Sequence, residues 1–215
     1  MRMSEISAFI PIIDFIKSLY PGLNPVPLHA PVFSGNEKKY MQDCIDTTFV
    51  SYLGKYVTQF ETMTAQYTGA KHAIAMVNGT TALQIALKIA GVEPGDEVIT
   101  QALTFVATPN AISHAGGKPV FVDVDKNTLG MSPEHLNVWM KENIIYDKTR
   151  GRSVNRKTKN PISAIVPMHT FGHSCYIDEI VDIASAYSIP VVEDSAESLG
   201  SYYKGQHTGT YGLAG

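Results

Sequence analysis

Five short apolar runs recur in the second two-thirds of the chain without polar alternation: AIAMV (73–77), EVIT (97–100), PVFVDV (119–124), SAIVPM (163–168) and PVVED (190–194). Runs of that length and kind are strands covered on both faces. Helical patterns separate most of them: TTALQIALKIAG, TPNAISHAGG, SPEHLNVWMKEN with Ser132 as N-cap and Pro133 at the first position, and IDEIVDIASAYS. Strand and helix therefore alternate, which predicts an α/β fold with a mostly parallel sheet, right-handed crossovers and flanking helices. Such sheets bind ligands beyond the carboxyl ends of their strands.

Upstream the period is helical. GNEKKYMQDCIDTTFV and KYVTQFETMTAQYTG both predict helices, the second with Val57, Phe60, Met63 and Tyr67 on one stripe and Gly69 at its end; VSYLG is the hinge between them. At the N-terminus Ile6, Phe9, Ile10, Ile13 and Ile16 recur at helical spacing, Glu5, Asp14 and Lys17 interrupt them, and Pro21-Gly22 stops the run. This predicts an amphipathic helix rather than a signal peptide, and no other segment is long and apolar enough to span a bilayer. The expected organisation is a helical segment over 1–70 followed by an α/β domain over 71–215.

Composition narrows the partners. At 44% hydrophobic and 17% charged, with a net charge of −3, the chain has the balance of a soluble globular protein and no global field for nucleic acid or acidic membrane. Two cysteines, Cys44 and Cys175, are too few for a disulfide framework and suit a reducing cytoplasm. HSC at 173–175 has no second ligand cluster, so no metal is expected. The basic stretch KTRGRSVNRKTKN (148–160) lacks aromatics to stack on bases; it reads as a solvated surface loop, with contact to a nucleotide diphosphate as the other reading.

Three strand ends bear on chemistry. After AIAMV comes NGTTAL, where Gly79 permits a sharp turn and Thr80 and Thr81 open a helix whose amides and hydroxyls suit a phosphate, or merely cap the helix. After EVIT comes QALTFVATPN, which puts Phe105 at the same sheet edge, as a flat face or as core. After PVV comes Glu193-Asp194, a carboxylate pair that either faces water or requires a cation, because a buried anion without one is costly. A phosphate cradle, a flat apolar face and a carboxylate at one edge fit pyridoxal 5′-phosphate, whose ring nitrogen is kept protonated by an adjacent acid. No GxGxxG follows the first core run, which disfavours a dinucleotide-binding oxidoreductase.

The same segments, NGTTALQIAL, GDEVITQALTFVATPNAI, PVFVDVD, PMHTFG and VVEDSAESLGSYYKG, resemble the DegT/StrS sugar aminotransferases, pyridoxal-phosphate enzymes of fold type I. VPLHAPVFSGNEKKY (26–40) and VSYLGKYVTQFE more closely resemble the branch that aminates UDP-4-keto-6-deoxy-N-acetylhexosamines toward bacillosamine or legionaminic acid. The resemblance implies that Gly79, Thr80 and Thr81 hold the cofactor phosphate, Phe105 stacks on the pyridine ring and Asp194 pairs with its nitrogen. It places Glu197 near the ring's phenolic oxygen, where a carboxylate repels unless protonated or bridged. His169 either lines the substrate side or is a packed, hydrogen-bonded histidine. A nucleotide sugar, glutamate and a second copy of the chain are the implied partners.

In this family a lysine in a segment of the form SFNGNK, downstream of residues matching YYKGQHTGTYG, carries the cofactor; here the chain ends at GLAG, and Lys204 sits in a predicted hairpin with Gly205. No catalytic residue is therefore expected within the chain, and the large domain is expected to be incomplete, with its remainder and the small domain absent. A family dehydratase with histidine in place of the lysine, and a non-catalytic binding remnant, are the alternatives.

Overall fold

The computed structural model describes residues 7–27 and 30–215. Ile6 of the N-terminal pattern and Leu28 and His29 of the 26–40 motif lie outside them. Two compact units divide the chain, Met1–Leu53 and Gly54–Gly215. The helix over 55–68 thus groups with the α/β part, whereas the sequence places the division near residue 70. The first unit contains α1 (Ile10–Leu19), with Pro11 in its first turn, and α2 (Glu37–Asp46).

The second unit begins with α3 (Lys55–Thr68), closed by Gly69 in the left-handed conformation at φ 77°, and continues with α4 (Gly79–Ile89). Then come β1 (Glu97–Gln101), α5 (Ala107–His114), β2 (Lys118–Val122) and α6 (Pro133–Asn143), the last capped by Ser132 through the His135 amide. The hairpin strands β3 (Ile144–Asp147) and β4 (Arg152–Asn155) lead into β5 (Ile162–Val166) and α7 (Ile177–Ala186), and β6 (Tyr202–Tyr203) and β7 (Gln206–His207) form a second hairpin.

The central sheet has the order β2-β1-β5, all parallel. Beyond β5 the chain runs alongside through single parallel bridges, Ile165 with Val191 and Met168 with Asp194, and Ala214 bridges to Val192 in turn. The PVVED run therefore joins the sheet without a continuous ladder. AIAMV does not join it at all: residues 73–77 form no strand, and Ile74 and Val77 are 76% and 83% exposed. Apolar composition makes a strand only where a neighbouring edge offers hydrogen bonds, and here the contact is a side chain, Glu61, accepting the Ala75 amide at 2.9 Å.

Alternation along the strands fills both faces. Ile99, Ile162 and Ile165 pack with Leu136, Met140, Ile177 and Ile180 of α6 and α7 on one side. Val98, Ala164 and Val166 pack with Leu87, Ala111 and Ile112 of α4 and α5 on the other. The C-terminal ends of α4 and α5 both lead to the start of a strand, where the Gly95 amide donates to Gly116 O at 2.9 Å. Their N-termini consequently project toward the carboxyl edge.

In the basic stretch only 152–155 form a strand, β4; Lys148, Arg150, Arg156, Lys157 and Lys159 are exposed on the turns before and after it, as a solvated surface segment would place them. Arg152 pairs with Asp96 at 3.2 Å, while Asn155, Thr158 and Asn160 donate to the carboxylate of Glu97, the first residue of β1. This anchors it at the amino ends of the strands. One strand length, about 13 Å for five residues, separates that end from the carboxyl edge, so the arrangement gives no support to a diphosphate contact at this chain's own strand tips.

Two isoleucines test the layering. Ile165→Ala, in the core, is expected to destabilise by about 2–5 kcal/mol, and Ile74→Ala by less than about 0.5 kcal/mol. Urea denaturation measures both, and equal losses would contradict the exposed placement of 73–77.

Candidate functional site

Two adjacent carboxylates sit at the end of the PVV run, and both are buried: Glu193 has no exposed surface and Asp194 is 4% exposed. Their environments differ. Glu193 Oε2 meets His169 Nε2 at 2.9 Å and accepts the Gly209 amide at 2.8 Å, while Oε1 accepts the amides of Tyr211 and Gly212, each at 2.7 Å. Burial pushes this carboxyl up; the hydrogen bonds from His169, Gly212 and Gly209 outweigh it and hold the group below its ordinary value. The glycines are needed for that approach: a Cβ on Gly212 would stand 2.5 Å from Val191 O, and Gly209 is left-handed at φ 84° with a Cβ position 2.7 Å from Ser195 Oγ. GTYG is thus an amide cradle for Glu193, a relation the sequence marks only by glycine spacing.

His169 is completely buried, so its ring takes the packed, hydrogen-bonded role and presents no surface to a substrate. Its Nδ1 accepts the Cys175 amide at 3.3 Å, which leaves the proton on Nε2 for Glu193. Burial and the nearby Glu193 charge push the Cys175 thiol far up, so it is inert.

Asp194 has no cationic partner among the described residues. Its Oδ2 accepts the Thr108 hydroxyl at 2.6 Å and its Oδ1 the Ala196 amide at 3.3 Å. Thr104 Oγ1 lies 2.7 Å from Thr108 Oγ1 and, since Thr108 spends its proton on Asp194, Thr104 is the donor in that pair. Thr108 is a site residue that sequence reasoning passed over, its threonine in TPNAIS reading as ordinary helix. Phe105 is one turn away, its carbonyl accepting the Thr108 amide at 3.1 Å, and its ring is 67% exposed rather than in the core.

At the N-terminus of α4, Asn78 makes the turn with extended backbone and its side chain accepts the Thr81 amide at 2.9 Å. Gly79 is an ordinary first helical residue whose backbone is not left-handed, the sharp turn being made at Asn78; a Cβ on Gly79 would meet nothing within 4 Å. The amides of Gly79 and Thr80 have no acceptor among the described residues. Two free amides, two threonine hydroxyls and open space suit an oxyanion. Glu197 is exposed, and its Oε2 accepts the Phe171 amide at 2.7 Å, which offsets part of the negative charge there. Lys204 occupies the β6–β7 turn and pairs with Asp178, which raises its pKa and keeps it an ammonium, unlike a lysine tuned for carbonyl chemistry.

A buried acid without a cationic partner, an exposed aromatic and a helix N-terminus with two free amides, all toward the carboxyl ends of the strands, are chemically compatible with an anionic cofactor that carries a flat cationic ring. Residues 32–215 match the DegT/DnrJ/EryC1/StrS aminotransferase family. The chain belongs to that family, whose members use pyridoxal 5′-phosphate. It is 38% identical over 187 residues to the GDP-perosamine synthase of Caulobacter vibrioides, covering 87% of this chain and 46% of that protein. It is 40% identical over 156 residues to the UDP-2-acetamido-2-deoxy-3-oxo-D-glucuronate aminotransferase of Pseudomonas aeruginosa, covering 73% and 38%. Among solved structures, the E. coli GDP-4-keto-6-deoxy-D-mannose-3-dehydratase with bound hydrated pyridoxal phosphate superposes with a TM-score of 0.70 at 27% identity, over 87% of this chain and 45% of that one. The chain spans less than half the length of these relatives.

Replacing Glu193 by glutamine puts an amide donor where backbone donors already converge, and is expected to destabilise by about 3–5 kcal/mol at neutral pH. Because the folded pKa lies below 4.5, the native contribution is complete above that value and is lost as pH falls through the folded pKa. Urea denaturation at pH 7 and in stronger acid should show the gap between wild type and Glu193→Gln closing in acid; a constant gap would contradict an ionised Glu193.

Proposed function

We propose that residues 1–215 form the N-terminal part of a pyridoxal-phosphate-dependent aminotransferase that aminates C4 of a UDP-linked 4-keto-6-deoxy sugar, with glutamate as amine donor. Asp194 carries the reading: a buried carboxylate, oriented by Thr108 and lacking any cation among the described residues, is satisfied by a protonated pyridine nitrogen. When bound, the cofactor supplies an electron sink for loss of a proton from an amine-bearing carbon. Gly79, Thr80 and Thr81 hold the phosphate, and Phe105 covers one face of the ring. Asp194 would keep the proton on the ring nitrogen, and Glu197, whose Oε2 accepts the Phe171 amide, would stand on the side of the phenolic oxygen, as the family resemblance implies.

The names of the two curated relatives, which specify GDP- and UDP-linked sugars, support a nucleotide-sugar substrate. The choice of UDP and of the C4 ketone rests on the resemblance of residues 26–40 and 50–61. We place the enzyme in the cytoplasm, in keeping with two free cysteines and with no helix among the described residues long and apolar enough to cross a membrane. It works as a homodimer, and the lysine that carries the cofactor lies outside residues 1–215. Likeness to a family dehydratase favours a second reading, dehydration of the same class of sugar.

Pyridoxamine 5′-phosphate, which forms no covalent link to lysines, tests the core of this reading. Asp194→Asn is expected to weaken its binding at least about tenfold, the value of a charge-assisted pair, and to leave inorganic phosphate affinity unchanged. Equal binding of the cofactor by both proteins would sink the assignment. With added pyridoxal 5′-phosphate, borohydride is expected to trap no yellow adduct at one specific lysine of this chain, and turnover of glutamate with a UDP-4-keto-6-deoxy sugar would show that the lysine lies within it.

A further inference from the structure

At the last residue of β1 a fully buried amide uses both ends of its hydrogen-bonding capacity. Gln101 has no exposed surface. Its Nε2 donates to Leu103 O at 2.9 Å and to Thr170 Oγ1 at 3.0 Å, and its Oε1 accepts the Met168 amide at 3.0 Å. Thr170 extends the link, its hydroxyl donating to Leu129 O at 3.0 Å. The partners fix which way the amide points, since only the nitrogen has protons for two acceptors and only the oxygen can take the Met168 proton. One side chain therefore ties together three segments leaving the carboxyl edge: the loop after β1, the turn after β2 and the loop after β5.

Two of those segments carry the candidate site. The loop after β1 presents Phe105. The loop after β5 presents Phe171, whose φ of 54° is left-handed and whose amide holds Glu197. A non-glycine residue keeps that conformation only where its surroundings impose it. The Gln101 and Thr170 bonds, one and three residues before Phe171 on the same loop, supply such a constraint. We infer that Gln101 is a positioning residue that holds the loop bearing Phe105 against the loop bearing Phe171, and thereby fixes where the Phe105 face stands to receive a flat pyridine ring. The ligand's identity rests on the pyridoxal-phosphate reading above; the clamp rests on the hydrogen bonds alone.

Gln101→Met keeps the length and removes every polar partner, and Thr170→Val, a milder change, removes the relay to Leu129. Both proteins are titrated with pyridoxamine 5′-phosphate and with inorganic phosphate, and amide hydrogen exchange is followed over 102–106 and 167–172. Each variant is expected to bind pyridoxamine 5′-phosphate about fivefold or more weakly, the equivalent of one hydrogen bond. Inorganic phosphate should bind as in wild type, and both loops should exchange faster while β1, β2 and β5 stay protected. General destabilisation would instead lower both affinities together and overturn the inference, as would pyridoxamine 5′-phosphate affinity within about twofold of wild type. If Gln101→Met does not fold, Thr170→Val decides by the same criteria. If wild type itself binds no pyridoxamine 5′-phosphate, the cofactor reading fails separately, and unchanged exchange in both loops then overturns the clamp as well.

Discussion

The buried carboxylate of Glu193 is the constraint on which the carboxyl edge depends. An ion without exposed surface is tolerated only when donors surround it, and four do: one imidazole and three backbone amides. Those donors come from the loop after β5 and from residues 209–212, so a single charge fixes two otherwise separate stretches of chain against the strand end. Removing it would leave a ring proton and three amides facing each other in a dry interior.

The neighbouring acid is treated in the opposite way. Asp194 receives only a hydroxyl and one longer amide contact, and the protein supplies no positive charge among the described residues. Adjacent residues in an extended segment direct their side chains to opposite faces, which lets one carboxylate meet the imidazole and three amides while its neighbour meets only the Thr108 hydroxyl and the Ala196 amide. Buried Thr108 with half-buried Thr104, and buried Gln101, extend the same design: polar groups whose hydrogen-bond directions are spent on orientation.

Much of this is written locally in the sequence. Ser132-Pro133 and Gly69 mark helix ends by capping chemistry, EVIT and SAIVP mark doubly covered strands, and Lys204-Gly205 marks a hairpin turn, all through contacts within a few residues. The pair Glu193-Asp194 stood out because acids directly after two valines either face water or require a partner, and both are buried. What was not legible depends on long-range pairing: His169 meets Glu193 across 24 residues, Thr108 meets Asp194 across 86, and Gln101 meets Thr170 across 69. Residues 73–77 show the converse failure, in which strand-like composition lacks an edge to pair with, and KTRGRSVNRKTKN shows that dense positive charge does not preclude a ladder when Asp96 and Glu97 lie beside it.

Cys175 gives the molecule an internal reporter. Its sulfur is sealed beside the imidazole that serves Glu193, whereas Cys44 is only half covered. An alkylating reagent would reach the half-covered Cys44 from the native state and Cys175 only when the anion's shell of donors opens. The lag between the two modifications is therefore a clock for excursions of the carboxyl edge out of its native state.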